Sequence, residues 1–128
     1  MKQLVVDTNA AVDFMRGDST ALRHYRTGWT ILLPVHVLGE LFFGAFASRL
    51  VASNLAIVED LTRSWNVVAP NVDTARIYGQ LRAREAATLS PGKLNDLWIA
   101  ALCLQHDLPL LTNDGGFDHI AGLTVIHW

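Results

Sequence analysis

Residues 2–9, KQLVVDTN, decide the fold. The run ending in two valines reads as a β-strand, and Asp7-Thr8-Asn9 is a cluster of the residue types favoured at helix N-caps. The segment after that cap is expected to be helical to about residue 15. A strand that passes into a helix through an acidic residue is the first unit of an alternating β/α chain.

The rest of the chain continues that alternation. A second helical stretch is expected near 18–27 and a strand at 30–34, TILLP, which Pro34 closes. Residues 35 to about 47 read as a helix that is apolar on nearly every face. Residues 49–64 read as another, with Leu50, Leu55, Val58 and Leu61 at helical spacing. NVVAP at 66–70 is a third strand, 72–87 a helix, and LSPGK at 89–93 a loop that launches the helix LNDLWIAALCL. PLLT at 109–112, a turn at NDGGF and TVIHW at 124–128 complete the pattern. Short apolar strands between helices predict an α/β fold, a three-layer α/β/α domain whose central parallel sheet has four to five strands flanked by helices. With no repeat, linker or low-complexity segment, residues 1–128 are expected to form a single domain.

Composition narrows the class. Of 128 residues, 51% are hydrophobic and 17% charged, which excludes disorder. The longest apolar run, ILLPVHVLGELFFGAFA, is broken by Pro34, His36 and Glu40, so no membrane span is expected. MKQLVVD lacks the apolar core of a signal peptide. A single cysteine, Cys103, leaves no internal disulfide, reads as a buried thiol, and suits a cytoplasmic protein. Ten basic residues against twelve acidic ones give a net charge of −2 with no basic block. Arg76, Arg82 and Arg84 read as a solvated helix face. If phosphates bind, something other than side-chain charge must attract them.

Four acids stand apart from the twelve by position. Asp7 ends the first strand and Asp114 follows the fourth; an N-cap and an Asp-Gly turn are their plain structural roles. Asp96 opens the late helix, where the macrodipole favours a carboxylate. Glu40 has apolar flanks, Leu38, Leu41 and Phe42, and no Arg or Lys within a turn, so it is expected to be buried and either paired or used. All four can meet at one end of the sheet, where such folds bind ligands. Gathered there they would repel one another unless cations neutralised them, and all-oxygen donors favour Mg²⁺ or Mn²⁺. The histidines, at 24, 36, 106, 119 and 127, show no zinc-like pairing and read as surface or core residues. A carboxylate-held ion pair accepts phosphate, activates water and stabilises a leaving oxygen.

The motifs VVDTNAAVDFMRG, LPVHVLGELFFGA, LNDLWIAALCLQHDLPLLTNDGGFDHI and GLTVIHW together resemble a PIN-domain ribonuclease, specifically a VapC-type toxin of a toxin–antitoxin pair. The resemblance spans essentially the whole chain. It implies a parallel sheet flanked by helices, with Asp7, Glu40, Asp96 and Asp114 as metal-holding catalytic acids. Thr8, Asn9 and Thr112 would support them, and Asp118 would stand nearby with capping or solvation as its plainer role. It also implies a Mg²⁺- or Mn²⁺-dependent endoribonuclease acting on RNA, a homodimer, and inhibition by a cognate VapB-like antitoxin. Hydrolysis is expected to leave a 5′-phosphate and a 3′-hydroxyl.

Other readings fare worse. A haloacid-dehalogenase-like phosphatase needs a second Asp two residues after the first, where this chain has Asn9. A receiver domain needs an early acidic pair and an Asp after the third strand; Asp7 stands alone and NVVAPN has no acid. A non-catalytic RNA- or protein-binding module on the same fold has no use for the full quartet of acids.

Overall fold

Residues 2–17, 25, 28–85 and 93–128 are described by a computed structural model. The chain opens with strand β1 (Lys2–Val6) and helix α1 (Thr8–Met15), then β2 (Trp29–Pro34) and α2 (Val35–Phe46). Helix α3 (Val51–Ser64), β3 (Asn66–Val68) and α4 (Val72–Glu85) come next. Helix α5 (Leu94–His106), β4 (Leu110–Leu111), a 3-10 turn (Gly115–Phe117) and β5 (Val125–Ile126) complete it. Apart from Tyr25, the helix expected at 18–27 lies outside the described residues, as does the loop at 89–93 up to Lys93.

All strand pairings are parallel, in the order β3-β2-β1-β4-β5. The fold expectation holds at five strands. The central strands are buried without alternation: Leu4, Val5 and Val6 in β1, Leu110 and Leu111 in β4. Both faces of such strands must be covered. The helices supply the cover, with α4 packed on α5 and α2 packed on α1 and α3.

Three strands are shorter than the sequence suggests, for a local reason. β4 pairs with β1 only at Val5↔Leu110 and Val6↔Leu111, because β1 stops where Asp7 turns the chain into α1. β3 and β5 are the two edges, and short edge strands limit pairing with other chains.

Strand order fixes where a ligand belongs. From β1 the chain goes outward to β2 and β3, then crosses back to β4 on the other side. The crevice beyond the carboxyl ends of β1 and β4 is therefore the topological switch point. Helix α5 starts beside it, with Asp96 in its first turn, and runs away to Asp107, whose left-handed backbone (φ 53°) reverses direction into β4, which leads back. At its start α4 is capped by the Asn71 side chain, which accepts from Thr74 N at 3.2 Å and from Gln105 Nε2 of α5 at 2.9 Å. That ties α4 to the helix that carries Asp96.

Helix α2 departs from expectation. Only Val37, Leu41 and Ala45, one stripe at i, i+4 spacing, are buried. Phe43 and Phe46 stand 69% and 64% exposed. The helix is apolar on two faces, but only one belongs to the core.

Candidate active site

The parallel register that sets Val6 beside Leu111 carries Asp7 to Thr112. Asp7 N donates to Leu111 O at 3.3 Å, and Thr112 N to Ile126 O at 3.0 Å, so both backbones continue the ladder past the strands. Asp7 is 5% exposed and Thr112 is wholly buried. The Thr112 hydroxyl donates to Asp7 Oδ2, and Ala10 N donates to Oδ1 at 3.0 Å. Asp7 is thus the N-cap of α1 while also facing the β4 end. Capping and a site role coexist in one carboxylate.

Thr112 does a second job. Its Oγ1 accepts from Asp114 N at 3.0 Å, fixing the loop that carries Asp114. Asp114 Oδ1 in turn accepts from Gly116 N at 2.9 Å, so the carboxylate also caps the 3-10 turn. Phe117, fully buried, anchors that turn in the core. A side chain at Gly116 would put Cβ 3.1 Å from Asp114 Oδ1 and 3.2 Å from Lys93 Nζ. Glycine leaves that space to the charged groups.

Asp96 enters from α5 in its first turn, as expected. Lys93, just ahead of the helix, places Nζ 3.7 Å from Asp96 Oδ2 and 3.7 Å from Asp114 Oδ2. One ammonium therefore bridges two carboxylates contributed by different elements. Sequence reasoning missed Lys93, although a lysine three residues before an acid at a helix start was the available signal.

The electrostatics reflect crowding. Burial pushes the Asp7 carboxyl above its usual range, against the hydrogen bonds from Thr112 and Ala10, and the charge of Asp114 adds to the rise. Burial likewise pushes Asp96 up, Lys93 opposes it, and the charges of Asp114 and Asp7 reinforce it. Asp7, Asp96 and Asp114 feel one another as like charges at one end of the sheet.

Glu40 is placed otherwise than expected. It is exposed on α2, not buried, because the buried stripe of that helix passes through Val37 and Leu41 instead. It faces Asp96 across a pocket of about 250 Å³ that Thr8, His36 and Asn95 also line. Among the supporting residues, Asn9 is exposed and contributes its backbone N–H to Asp7. Asp118 pairs with His127, Oδ1 lying 2.7 Å from Nε2, and His127 also feels the Thr112 backbone and the charge of Asp114, so the pair borders the cluster. Cys103 is buried in α5 with its thiol pushed up to about 12, an inert group.

The donor set is chemically suited to a hard divalent cation: Asp7, Asp96 and Asp114 are carboxylates gathered around the Thr112 hydroxyl, with no thiol among them. Like charges held together attract a cation, and the Lys93 ammonium already supplies one positive charge between two of them. Among the described residues, no three His, Cys, Asp or Glu side chains are close enough to hold an ion as they stand. Also among them, no helix is long and apolar enough to cross a membrane.

Comparison with known proteins agrees with this architecture. Residues 4–123 match the model of the PIN domain. Ribonuclease VapC5 of Mycobacterium tuberculosis is 32% identical over 95 residues, 72% of this chain and 70% of that protein. Among solved structures, DNA-bound VapBC from Salmonella typhimurium contains a chain that superposes with a TM-score of 0.86 at 26% identity, covering 100% of this chain and 99% of that one. VapBC-5 from Mycobacterium tuberculosis, a member of the VapBC family of toxin–antitoxin systems, gives 0.77 at 25% identity over the whole of both chains. The chain belongs to the PIN-domain family, in its VapC branch.

Proposed function

We propose that the chain is a metal-dependent endoribonuclease toxin that hydrolyses RNA phosphodiester bonds and is neutralised by a VapB-like antitoxin. One observation carries the reading: Asp7, Asp96 and Asp114 reach the switch point from three different elements, with a single lysine bridging two of them. Kinship with a VapC ribonuclease supports the same chemistry.

Asp7, Asp96, Asp114 and, across the pocket, Glu40 would hold Mg²⁺ or Mn²⁺. The ion, when bound, supplies activation of water and stabilisation of the leaving oxygen. The protein's own part is positional. Thr112 and Ala10 orient the two oxygens of Asp7, while Thr112 also fixes the Asp114 loop. Lys93 sets one positive charge against both Asp96 and Asp114, which offsets part of their mutual repulsion. Thr8 adds a hydroxyl at the pocket wall. The products are a 5′-phosphate and a 3′-hydroxyl.

The antitoxin has a surface to use. A cleft of about 390 Å³ runs between α1, α2 and α3, lined by Val12, Met15, Leu41, Ala45 and Ile57, with Glu40 at its border. An apolar antitoxin segment laid there would reach the acids and cover the pocket. Phe43, Phe46 and Leu50, exposed beside it, supply further apolar area for protein contacts, a homodimer included.

Inducible expression in a bacterium, with wild type beside Asp7→Asn, tests the proposal. Growth arrest is expected from wild type alone, together with RNA cleavage in vitro that a chelator abolishes. Equal arrest by both proteins, or cleavage indifferent to chelator, would sink the metal mechanism. RNA association without any cleavage product would favour a binding module.

A further inference from the structure

His36 lies in the first turn of α2, one turn before Glu40, and lines the same pocket as Glu40, Asn95 and Asp96. Its ring ends a ladder of three. It stacks on Trp98 of α5 with centroids 5.9 Å apart and planes 16° apart. Trp98 stacks on Tyr78 of α4 at 4.0 Å and 10°. Arg82 Nη1 closes the far end, 3.3 Å from Tyr78 Oη. Rings from three helices thus set the plane of the imidazole, which a lone histidine at a helix start would not have fixed.

The two ring nitrogens differ. Nδ1 is buried without a hydrogen-bond partner among the described residues, and Nε2 is the nitrogen left open. A buried, unpaired N–H is rarer and costlier than an unpaired lone pair. The proton therefore belongs on Nε2. Burial also pushes the imidazole below its ordinary pKa. A permanently orphaned Nδ1 lowers stability, and a cost of that kind at a pocket wall marks function.

We propose that His36 contacts the substrate: its Nε2–H donates to an acceptor on the single-stranded RNA nucleotide that enters the pocket between Glu40 and Asp96. Trp98 and Tyr78 act through it as positioning residues. The assignment rests on the ribonuclease reading above. The pocket, at about 250 Å³, lies below the range of about 300–1,000 Å³ that encloses a drug-sized ligand, and so suits one unit of a longer chain. A ring N–H held in a fixed plane, with Asn95 on the same pocket wall, matches the carbonyl and ring-nitrogen acceptors of an unpaired base.

Binding is measured by fluorescence anisotropy of a labelled single-stranded RNA of mixed sequence, in an Asp7→Asn background that does not cut it. His36→Phe keeps the ring ladder and removes the donor; it is expected to weaken binding about three- to tenfold. The same change removes the orphaned nitrogen and should leave Tm equal or higher, which a structural histidine would not do. His36→Gln restores an N–H donor and recovers part of the affinity; Trp98→Leu, which frees the ring, loses part of it. His36→Phe binding as tightly as its parent, or His36→Gln binding no better than His36→Phe, overturns the assignment. So does a parent protein that binds no RNA. Binding that depends on His36 in a protein whose unmodified form never cleaves RNA overturns the ribonuclease reading and leaves this one standing.

Discussion

Asp7 and Glu40, both acids of the proposed site, are held in opposite ways. Asp7 is buried at the end of the central strand, with a donor on each carboxylate oxygen. Glu40 stands exposed on α2 at the pocket wall, and among the described residues it makes no hydrogen bond or ion pair. The strand end fixes its acid during folding, through the same parallel register that builds the sheet. The helix leaves its acid to be oriented by whatever enters the pocket. The site therefore has a rigid side and an adaptable side.

That contrast can be broken most forcefully at Thr112. Thr112→Val deprives a buried carboxylate of its donor and Asp114 N of its acceptor, and should cost about 1–3 kcal/mol in urea unfolding. Thr112→Ser should recover most of it. An unchanged midpoint for Thr112→Val would mean the rigid side is not held as described.

A smaller effect, opposite in sign, is expected for Asp7→Asn. The folded pKa of Asp7 lies above the ordinary 3.8 because of burial. Below 3.8 the group is protonated whether folded or not, and its burial carries no charge penalty. As pH rises through the raised folded value, the native state binds more protons than the unfolded one and loses stability. Asp7→Asn should thus gain a few degrees in Tm at neutral pH and nothing in acid. A uniform gain across pH would point to packing instead of charge.

The smallest effect on stability belongs to the adaptable side. Glu40→Gln should shift unfolding by less than about 0.5 kcal/mol. RNA cleavage should nevertheless fall on the order of 10- to 100-fold. Destabilisation by Glu40→Gln on the scale of Thr112→Val would erase the difference between the two sides.

Much of this was legible in the sequence. Asp7, Asp96 and Asp114 announced themselves through their places at a strand end, a helix start and a post-strand turn, and local rules fix such places. Glu40 was singled out by its apolar neighbours, but the burial inferred from them did not hold. Phe43 and Phe46 carry the same letters as core residues and face outward, and hydrophobic pattern alone does not separate a core face from a docking face. Lys93 escaped notice, and His36 read as an ordinary surface or core histidine, because their partners, Asp114 and Trp98, are distant in sequence. Asp118 went to His127 for the same reason.

The bond between Thr112 and Asp7 joins residues 105 apart in the chain. During synthesis at about 5–20 residues per second, Asp7 leaves the ribosome roughly 5–20 s before its partner. Through that interval β1 lacks its β4 neighbour, and neither Asp96 nor Asp114 has arrived for most of it. An enzyme that destroys RNA is thereby kept incomplete while it is still attached to the RNA that encodes it.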